Sequence, residues 1–155
     1  MPGSLQAILD QEIALLASFI ELLDAEQGAL KRIETLTLPE IADKKQVVIE
    51  QLNGLELARG KALGIKPEQD LRAETLRWLN SYPENGQAAS AWKKIIELAR
   101  QAKQLHDLNW QLLQMHLQQT NELINALTLP ARKNTLYSSD GQEYLATGSR
   151  LVDSA

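Results

Sequence analysis

Two histidines are the first residues in this sequence to test for chemistry, and their spacing argues against a shared metal site within the chain. His106 and His116 are ten residues apart in a stretch that predicts one helix. On a helix they lie about 80° apart around the axis and roughly 15 Å apart along it. No HExxH or ExxH pattern accompanies them. We therefore interpret His106 as a core or boundary residue and predict no metal site.

The stretch around Gly60 and Lys61 invites comparison with a phosphate-binding loop but lacks its requirements. The glycine spacing is wrong, Ala62 stands where that loop needs Ser or Thr, and the pattern is helical. Asp and Glu residues are interspersed with Lys and Arg, as on solvated helix faces. No serine lies in a nucleophile elbow. We predict no catalytic residue, no cofactor and no enzyme activity.

The composition argues against several classes of protein. The 155 residues include no cysteine, and the net charge of -4 does not suit a nucleic-acid partner. No stretch approaches the roughly 18 uninterrupted apolar residues of a membrane span. The first residues lack the basic n-region of a signal peptide. We therefore expect a cytoplasmic protein without direct membrane insertion.

Apolar residues at helical spacing predict two long helices in the first half of the chain. The first covers residues 4–36, with Ser4 as its N-cap. The second begins at the capping-box sequence TLPE, with Thr37 as the cap, and ends at Gly64. Arg59 falls within the apolar stripe of this helix. We interpret it as a side chain that snorkels to solvent or pairs with a Glu across the interface.

A short amphipathic segment follows, and the longest predicted helix comes after it, over residues 87–129. Pro130 is expected to end this helix. Its apolar residues form two stripes about 120° apart, which leaves its distal half apolar over more than half its circumference. The first stripe contains Trp92, Ile95, Ala99, Ala102, His106, Trp110, Leu113, Leu117, Ile124 and Leu127. Either this helix is central in a bundle or part of its surface is reserved for a partner.

These elements predict an all-α fold, an elongated and coiled-coil-like antiparallel bundle of three long helices and one short one, with a non-helical C-terminal tail. We assign the helical bundle domain to residues 1–133 and the tail to residues 134–155. Asp140 and Gly141 are a turn signal that favours a hairpin in the tail. A flexible segment that orders on binding is the alternative.

Three stretches of the chain carry a resemblance to a known family, and together they cover nearly its whole length. The long last helix contains Asn109, although Leu112 stands where the family often has a second Asn. The tail sequence LYSSDGQ is similar to a Tyr-x-x-x-Gly-Gln ending. The second helix shows a Lys-Gln pair, spaced leucines, a Glu and an Arg, namely Lys45, Gln46, Leu52, Leu55, Glu56 and Arg59. In these features the sequence resembles the FlgN family of flagellar type III export chaperones.

The resemblance implies a chaperone that binds the C-terminal helical region of unassembled flagellar hook-associated proteins and keeps them from self-associating. It would deliver this cargo to the type III export gate, with components of the export ATPase as further partners. Recognition would be of the helix-in-groove kind, which requires no cofactor. The predicted partner-binding residues are Asn109, Leu117, Leu123, Ile124, Leu127, Leu129, Leu136, Tyr137, Gly141, Gln142 and Tyr144.

Alternatives remain open for the same features. The apolar residues of the last helix could all pack inside the bundle, or they could form a homodimer in a self-associating structural or regulatory protein. A third alternative is a chaperone or adaptor for a different secreted helical protein. The free chain is expected to be a monomer or a weak dimer.

Overall fold

The computed structural model describes residues 2–138 and the side chains of residues 5–128. Its helices are α1 (Pro2–Arg32), α2 (Leu38–Leu63), α3 (Leu71–Ser81) and α4 (Gly86–Ser138). No strand occurs within residues 2–138, which confirms the prediction of an all-α fold with three long helices and one short one. Internal contacts divide the chain into two compact units, Met1–Leu112 and Leu113–Ala155. The predicted boundary between a bundle and a tail at residue 133 stays a prediction.

The starts of α1 and α2 differ from the predicted caps. α1 begins at Pro2, two residues before Ser4, so the prediction of Ser4 as its N-cap was wrong. A proline suits a first turn because the N–H that it lacks would have no helical partner. At α2, the Thr37 side chain makes no capping hydrogen bond, and its hydroxyl donates instead to the Glu34 carbonyl at 3.1 Å. The capping box predicted there is therefore not formed.

α1 ends in a Schellman turn with an isoleucine at the position that usually holds glycine. The Ile33 N–H donates to the Leu30 carbonyl at 3.3 Å, and the Glu34 N–H donates to the Ala29 carbonyl at 2.8 Å. Ile33 has a φ of 57°, in the left-handed region that β-branched side chains rarely adopt. The turn leads into the short connection to α2.

α2 ends at the predicted glycine, and α3 begins at a side-chain cap. Gly64 has a φ of 69°, which glycine adopts without strain, and its N–H donates to the Lys61 carbonyl at 3.2 Å. Asp70 then accepts hydrogen bonds from the N–H groups of Arg72 and Ala73, at 3.1 and 3.3 Å. A carboxylate at an N-cap satisfies donors that the helix itself leaves free.

Side-chain contacts fix the directions of the helices in the first unit. Glu12, early in α1, contacts Arg59 late in α2, whereas Glu26, late in α1, contacts Lys45 early in α2. α2 therefore runs antiparallel to α1. Asn109 bonds to Glu26, and the start of α4 packs against the start of α1, so these two helices run parallel. The buried core cluster consists of Leu5, Leu9, Leu16, Leu79, Ala88, Ala91, Trp92, Ile95 and Leu98.

The buried face of α4 in the first unit follows the heptad spacing of a coiled coil. Its buried positions include Ala88, Ala91, Ile95, Leu98, Ala102 and Asn109, with Leu105 half-buried between the last two. His106, interpreted from the sequence as a core or boundary residue, is exposed, so that interpretation was wrong, and Trp110 of the same predicted stripe is exposed as well. A stripe drawn at 3.6 residues per turn drifts away from a seam that repeats every 3.5 residues.

α4 continues through Pro130 to Ser138, so the expectation that Pro130 would end it was wrong. The proline ring fixes φ near a helical value. A proline inside a helix removes one backbone hydrogen bond and clashes with the preceding turn, and a kink in the helix relieves that clash. Residues 134–138, predicted as the start of the non-helical tail, are therefore helical. Residues 139–155 lie outside the described part of the chain.

Candidate partner-binding surface

A buried ion pair connects α1 with α2 in the middle of the first unit. The Arg59 guanidinium donates to the Glu12 carboxylate, and these residues are 4% and 2% exposed. The Arg59 Nε–H also donates to Thr75 Oγ1 at 3.3 Å, and the guanidinium carbon lies 4.6 Å from the centre of the Trp92 ring. Elements α1 to α4 all contribute to this arrangement. The prediction that Arg59 pairs with a Glu across the interface is confirmed.

The buried environment of this pair shifts the pKa of the Glu12 carboxyl. Burial raises the pKa of Glu12 above its ordinary value, although the charge and the hydrogen bond of Arg59 lower it and the nearby Glu56 raises it further. The loss of hydration therefore outweighs the attraction of the partner. A buried ion pair of this kind is weak evidence for stabilisation.

A second polar cluster lies further along the same interface and includes α4. Lys45 Nζ lies 2.6 Å from Glu26 Oε2, and both side chains are about 15% exposed. Asn109 Nδ2 donates to Glu26 Oε1 and to the carbonyl of Leu23, each at 2.9 Å. Asn109 Oδ1 is buried and accepts no hydrogen bond from the described residues. The cluster links α1, α2 and α4 through one carboxylate.

These charged groups bind one another and are not placed to act on a substrate in solution. Among the described side chains, those of residues 5–128, no group of three or more His, Asp or Glu could hold a metal ion. Asn109 is only 2% exposed, so its side chain contributes to contacts inside the first unit and not to the outer surface. The predicted role of Asn109 as a partner contact therefore stays a prediction.

The described part of the second unit presents an apolar surface on α4, which we call the distal apolar face. Its residues are Leu117, Leu123, Ile124 and Leu127, with exposed fractions of 50, 61, 50 and 71%. At 100° per residue, all four lie within an arc of about 120°. The sequence predicted each of them as a partner-binding residue, and the structure brings them together on one side of the helix.

The opposite side of this helical segment is polar and nearly free of charge. It carries Gln118, Gln119, Glu122 and Asn125, and the amide of Gln118 donates to Glu122 at 3.3 Å. The segment is therefore amphipathic, and both its polar side and its apolar side are exposed to solvent. Contiguous exposed apolar surface of this kind is typical of protein interaction sites.

Other exposed apolar residues were not among the predicted contacts. In the first unit, Leu108 and Trp110 flank Asn109 and are 44 and 56% exposed; in the second, Met115 is 54% exposed. Trp110 belongs to the predicted first stripe, for which both a place in the bundle and a partner contact were left open. The heptad spacing of Leu98, Ala102, Leu105 and Asn109 was the signal that could have placed it outside.

The remaining predicted contact residues lie beyond the described side chains. Leu129, Leu136 and Tyr137 belong to α4 by their backbone, but their side chains are not described. Gly141, Gln142 and Tyr144 lie outside the described residues altogether. Their role in binding stays a prediction.

Comparison with known proteins identifies the family of the chain. The profile of the family described as FlgN protein matches residues 1–144. No curated protein and no solved structure matches the sequence. No helix among the described residues is both long and apolar enough to cross a membrane. Because the family match includes both polar clusters and the distal apolar face, and most of the chain's length, the chain belongs to the FlgN family of flagellar export chaperones.

Proposed function

We propose that this chain binds the C-terminal helical region of unassembled flagellar hook-associated proteins through its distal apolar face. Bound in this way, the cargo cannot associate with other copies of itself before export. The chain then delivers the cargo to the type III export gate, where components of the export machinery, including the ATPase, act as further partners. The exposed apolar arc of Leu117, Leu123, Ile124 and Leu127 is the observation that carries this proposal.

The geometry of the distal apolar face suits a helical partner. An amphipathic helix can lay its own apolar side along an arc of about 120° and bury both surfaces together. Few charged residues lie near this surface. The face would therefore recognise the spacing of apolar residues on the partner helix more than a charged motif. We propose that Leu129, Leu136 and Tyr137 extend the contact along α4, and that Gly141, Gln142 and Tyr144 add to it from the tail.

The expected strength of this contact favours holding followed by release. Complete burial of a leucine or isoleucine side chain contributes roughly 1.5–3 kcal/mol, and between half and 71% of each side chain is still exposed. The four side chains together offer about 4–7 kcal/mol before the entropic cost of association. That contribution supports a reversible complex, which a chaperone without its own energy source needs in order to release cargo.

Substitution of two residues in the distal apolar face tests the proposal. The variant Ile124→Ser with Leu127→Ser should weaken cargo binding about 100-fold, because about 3 kcal/mol of apolar burial is lost. Binding is measured by titrating the C-terminal helical region of a hook-associated protein, and helicity is measured by far-ultraviolet circular dichroism. The matched control is Gln118→Ser with Asn125→Ser on the polar side, which should bind as the unchanged chain does.

Two outcomes would count against cargo binding by this face. If the Ile124 and Leu127 variant loses helicity while the control does not, these residues are needed for folding and are not free for cargo. If both variants bind cargo with unchanged affinity, the contact lies elsewhere on the chain.

The same exposed face supports a second candidate function, in which it forms a homodimer in a structural or regulatory protein. Light scattering of the purified chain distinguishes the two functions. A stable dimer that does not respond to cargo would favour self-association. A monomer, or a weak dimer that converts to a complex with cargo, would favour the chaperone.

A further inference from the structure

Two ion pairs cross the interface between α1 and α2 at positions that share one antiparallel register. In the first pair, Glu12 meets Arg59, and in the second, Glu26 meets Lys45. The residue numbers of each pair add to 71, and the pairs lie 14 residues, or two heptads, apart on both helices. We propose that these two pairs determine the register in which α1 and α2 pack, and that they do so without adding to the stability of the bundle.

The apolar residues of this interface leave the register ambiguous. On α1, buried leucines recur every seven residues, and on α2, apolar residues recur at the same interval. These series are Leu9, Leu16, Leu23 and Leu30 on α1 and Ile41, Val48 and Leu55 on α2. If α2 slid by one heptad, apolar positions would again face apolar positions. The leucine pattern alone therefore accepts more than one alignment.

The charged residues distinguish these alignments. A displacement of one heptad would place Arg59 opposite Phe19 or Leu5 and Glu26 opposite Leu52 or Leu38, depending on its direction. Each charge would then be buried against an apolar side chain without a partner, which costs several kcal/mol. Only the observed alignment satisfies both pairs at once.

Because the pairs are buried, they restrict the register of α1 and α2 more than they stabilise the folded chain. The Glu12–Arg59 pair is almost completely removed from water, and its hydration is lost on folding. The raised pKa of Glu12 agrees with this, since the folded environment disfavours the charged form even with Arg59 beside it. Apolar replacements of similar volume are often neutral or stabilising at such pairs.

Asn109 extends the second pair to α4. Asn109 Nδ2 donates to Glu26 Oε1, whereas Lys45 contacts Glu26 Oε2. Asn109 Nδ2 also donates to the Leu23 carbonyl. A buried amide in a coiled-coil seam fixes alignment at some cost in stability. The Glu26–Lys45 pair therefore aligns α4 as well as α2 with α1.

The short connection between α1 and α2 is the rival explanation for the register. Residues 33–37 join the two helices, and a slip would require a helix end on one side to unwind. The test must therefore measure the alignment of α1 with α2 separately from the free energy of unfolding. Because the chain has no cysteine, spin labels attach only where cysteines are introduced.

The experiment measures the distance between labels at Ser18→Cys and Ala42→Cys, which are exposed positions on α1 and α2. A slip of one heptad moves one label along the interface by about 10 Å relative to the other. The pairs are replaced by apolar residues, first Glu12→Leu with Arg59→Met, then Glu26→Leu with Lys45→Met, and then both together. The control is Glu40→Gln with Lys44→Gln, which removes an exposed pair within α2.

The expected result is a second distance population, produced by an axial shift of about 10 Å, in the apolar variants but not in the control. Their urea midpoints should equal or exceed that of the unchanged chain. A single, unchanged distance in the combined variant would show that the connection sets the register and would overturn the proposal. A lower urea midpoint with an unchanged distance would overturn it as well, since the pairs would then be stabilising.

A rescue variant keeps the proposal testable if the combined apolar variant does not fold. Glu26→Lys alone places two ammonium groups together and should displace the label distance. Adding Lys45→Glu restores opposite charges in the same alignment and should restore the single distance. If Glu26→Lys alone folds with the unchanged distance, this pair does not select the register and the proposal fails.

Discussion

The described parts of the two units differ in whether their leucines are buried or exposed. In the first unit, leucines such as Leu9 and Leu23 are completely buried, and Glu12 and Arg59 are buried with them. In the described part of the second unit, Leu117 and Leu127 are at least half exposed, and the polar residues lie on the other side of the helix. The residue types are similar, but among the described side chains it is the core leucines of the first unit that neighbouring helices cover.

This difference shows that amphipathic pattern alone does not distinguish a core from a binding site. Both units present leucines at helical spacing, which the hydrophobic effect drives out of water in either case. For the core leucines of the first unit, such as Leu9 and Leu23, that tendency is satisfied within the chain. In the second it remains available to a partner, which is the physical basis of the proposed chaperone function.

The largest expected effect comes from making the same substitution in each unit. Leu9→Ala should lower the free energy of unfolding by about 2–5 kcal/mol, because it removes a buried side chain and leaves a cavity. Leu127→Ala should change it by less than about 0.5 kcal/mol, since that side chain is 71% exposed. Urea unfolding of both variants measures this. Equal losses would show that Leu127 is part of the folded core.

A smaller effect is expected from pH, and it belongs to the first unit alone. The pKa of Glu12 is raised in the folded state, so its proton is held there after the unfolded chain has released it. Stability from this group is therefore greatest at low pH and falls as pH rises from about 4.5 through the raised value. The stability of Glu12→Gln relative to the unchanged chain should accordingly increase over that range and then level off.

Urea unfolding of both proteins, from about pH 4.5, near the ordinary pKa of a Glu carboxyl, to about pH 8, checks this prediction. The quantity compared is the difference between their free energies of unfolding at each pH. Other carboxylates contribute equally to both proteins and cancel. A relative stability that decreases with rising pH would mean that Arg59 outweighs the loss of hydration. Leu127→Ala should show no such pH dependence relative to the unchanged chain.

The smallest effect on stability is expected from removing residues 134–155. The free energy of unfolding of the first unit should change by less than about 0.5 kcal/mol, because these residues lie far along the sequence from its buried core. Cargo or export-gate binding should weaken if the tail contributes contacts, as proposed. A large drop in stability would show instead that these residues support the fold.

Much of the first unit follows from local sequence signals. Gly64 ends α2 because glycine accepts a positive φ, and the position of Arg59 inside an apolar stripe left two interpretations, snorkelling or a Glu partner, of which the second is confirmed. The helix order and the absence of strands followed from the same patterns. These features depend on a few neighbouring residues, so a single sequence contains the information.

Features that depend on contacts between distant segments could not be predicted in this way. Glu12 as the partner of Arg59, and Glu26 as the partner of both Lys45 and Asn109, require the alignment of separate helices. Whether Trp110 is buried or exposed could not be decided from the sequence, because a 3.6-residue stripe and a 3.5-residue seam diverge only over several turns. The extension of α4 past Pro130 was missed because a proline usually, but not always, ends a helix.

The matched spacing of the two ion pairs also bears on how this chain can change in length during evolution. An insertion in α1 between Glu12 and Glu26 would separate charges that Arg59 and Lys45 still hold at the old spacing. The mismatch disappears only if α2 gains the same number of residues, and seven at a time preserves the apolar seam. Insertions and deletions in these two helices should therefore occur as compensating pairs among related sequences.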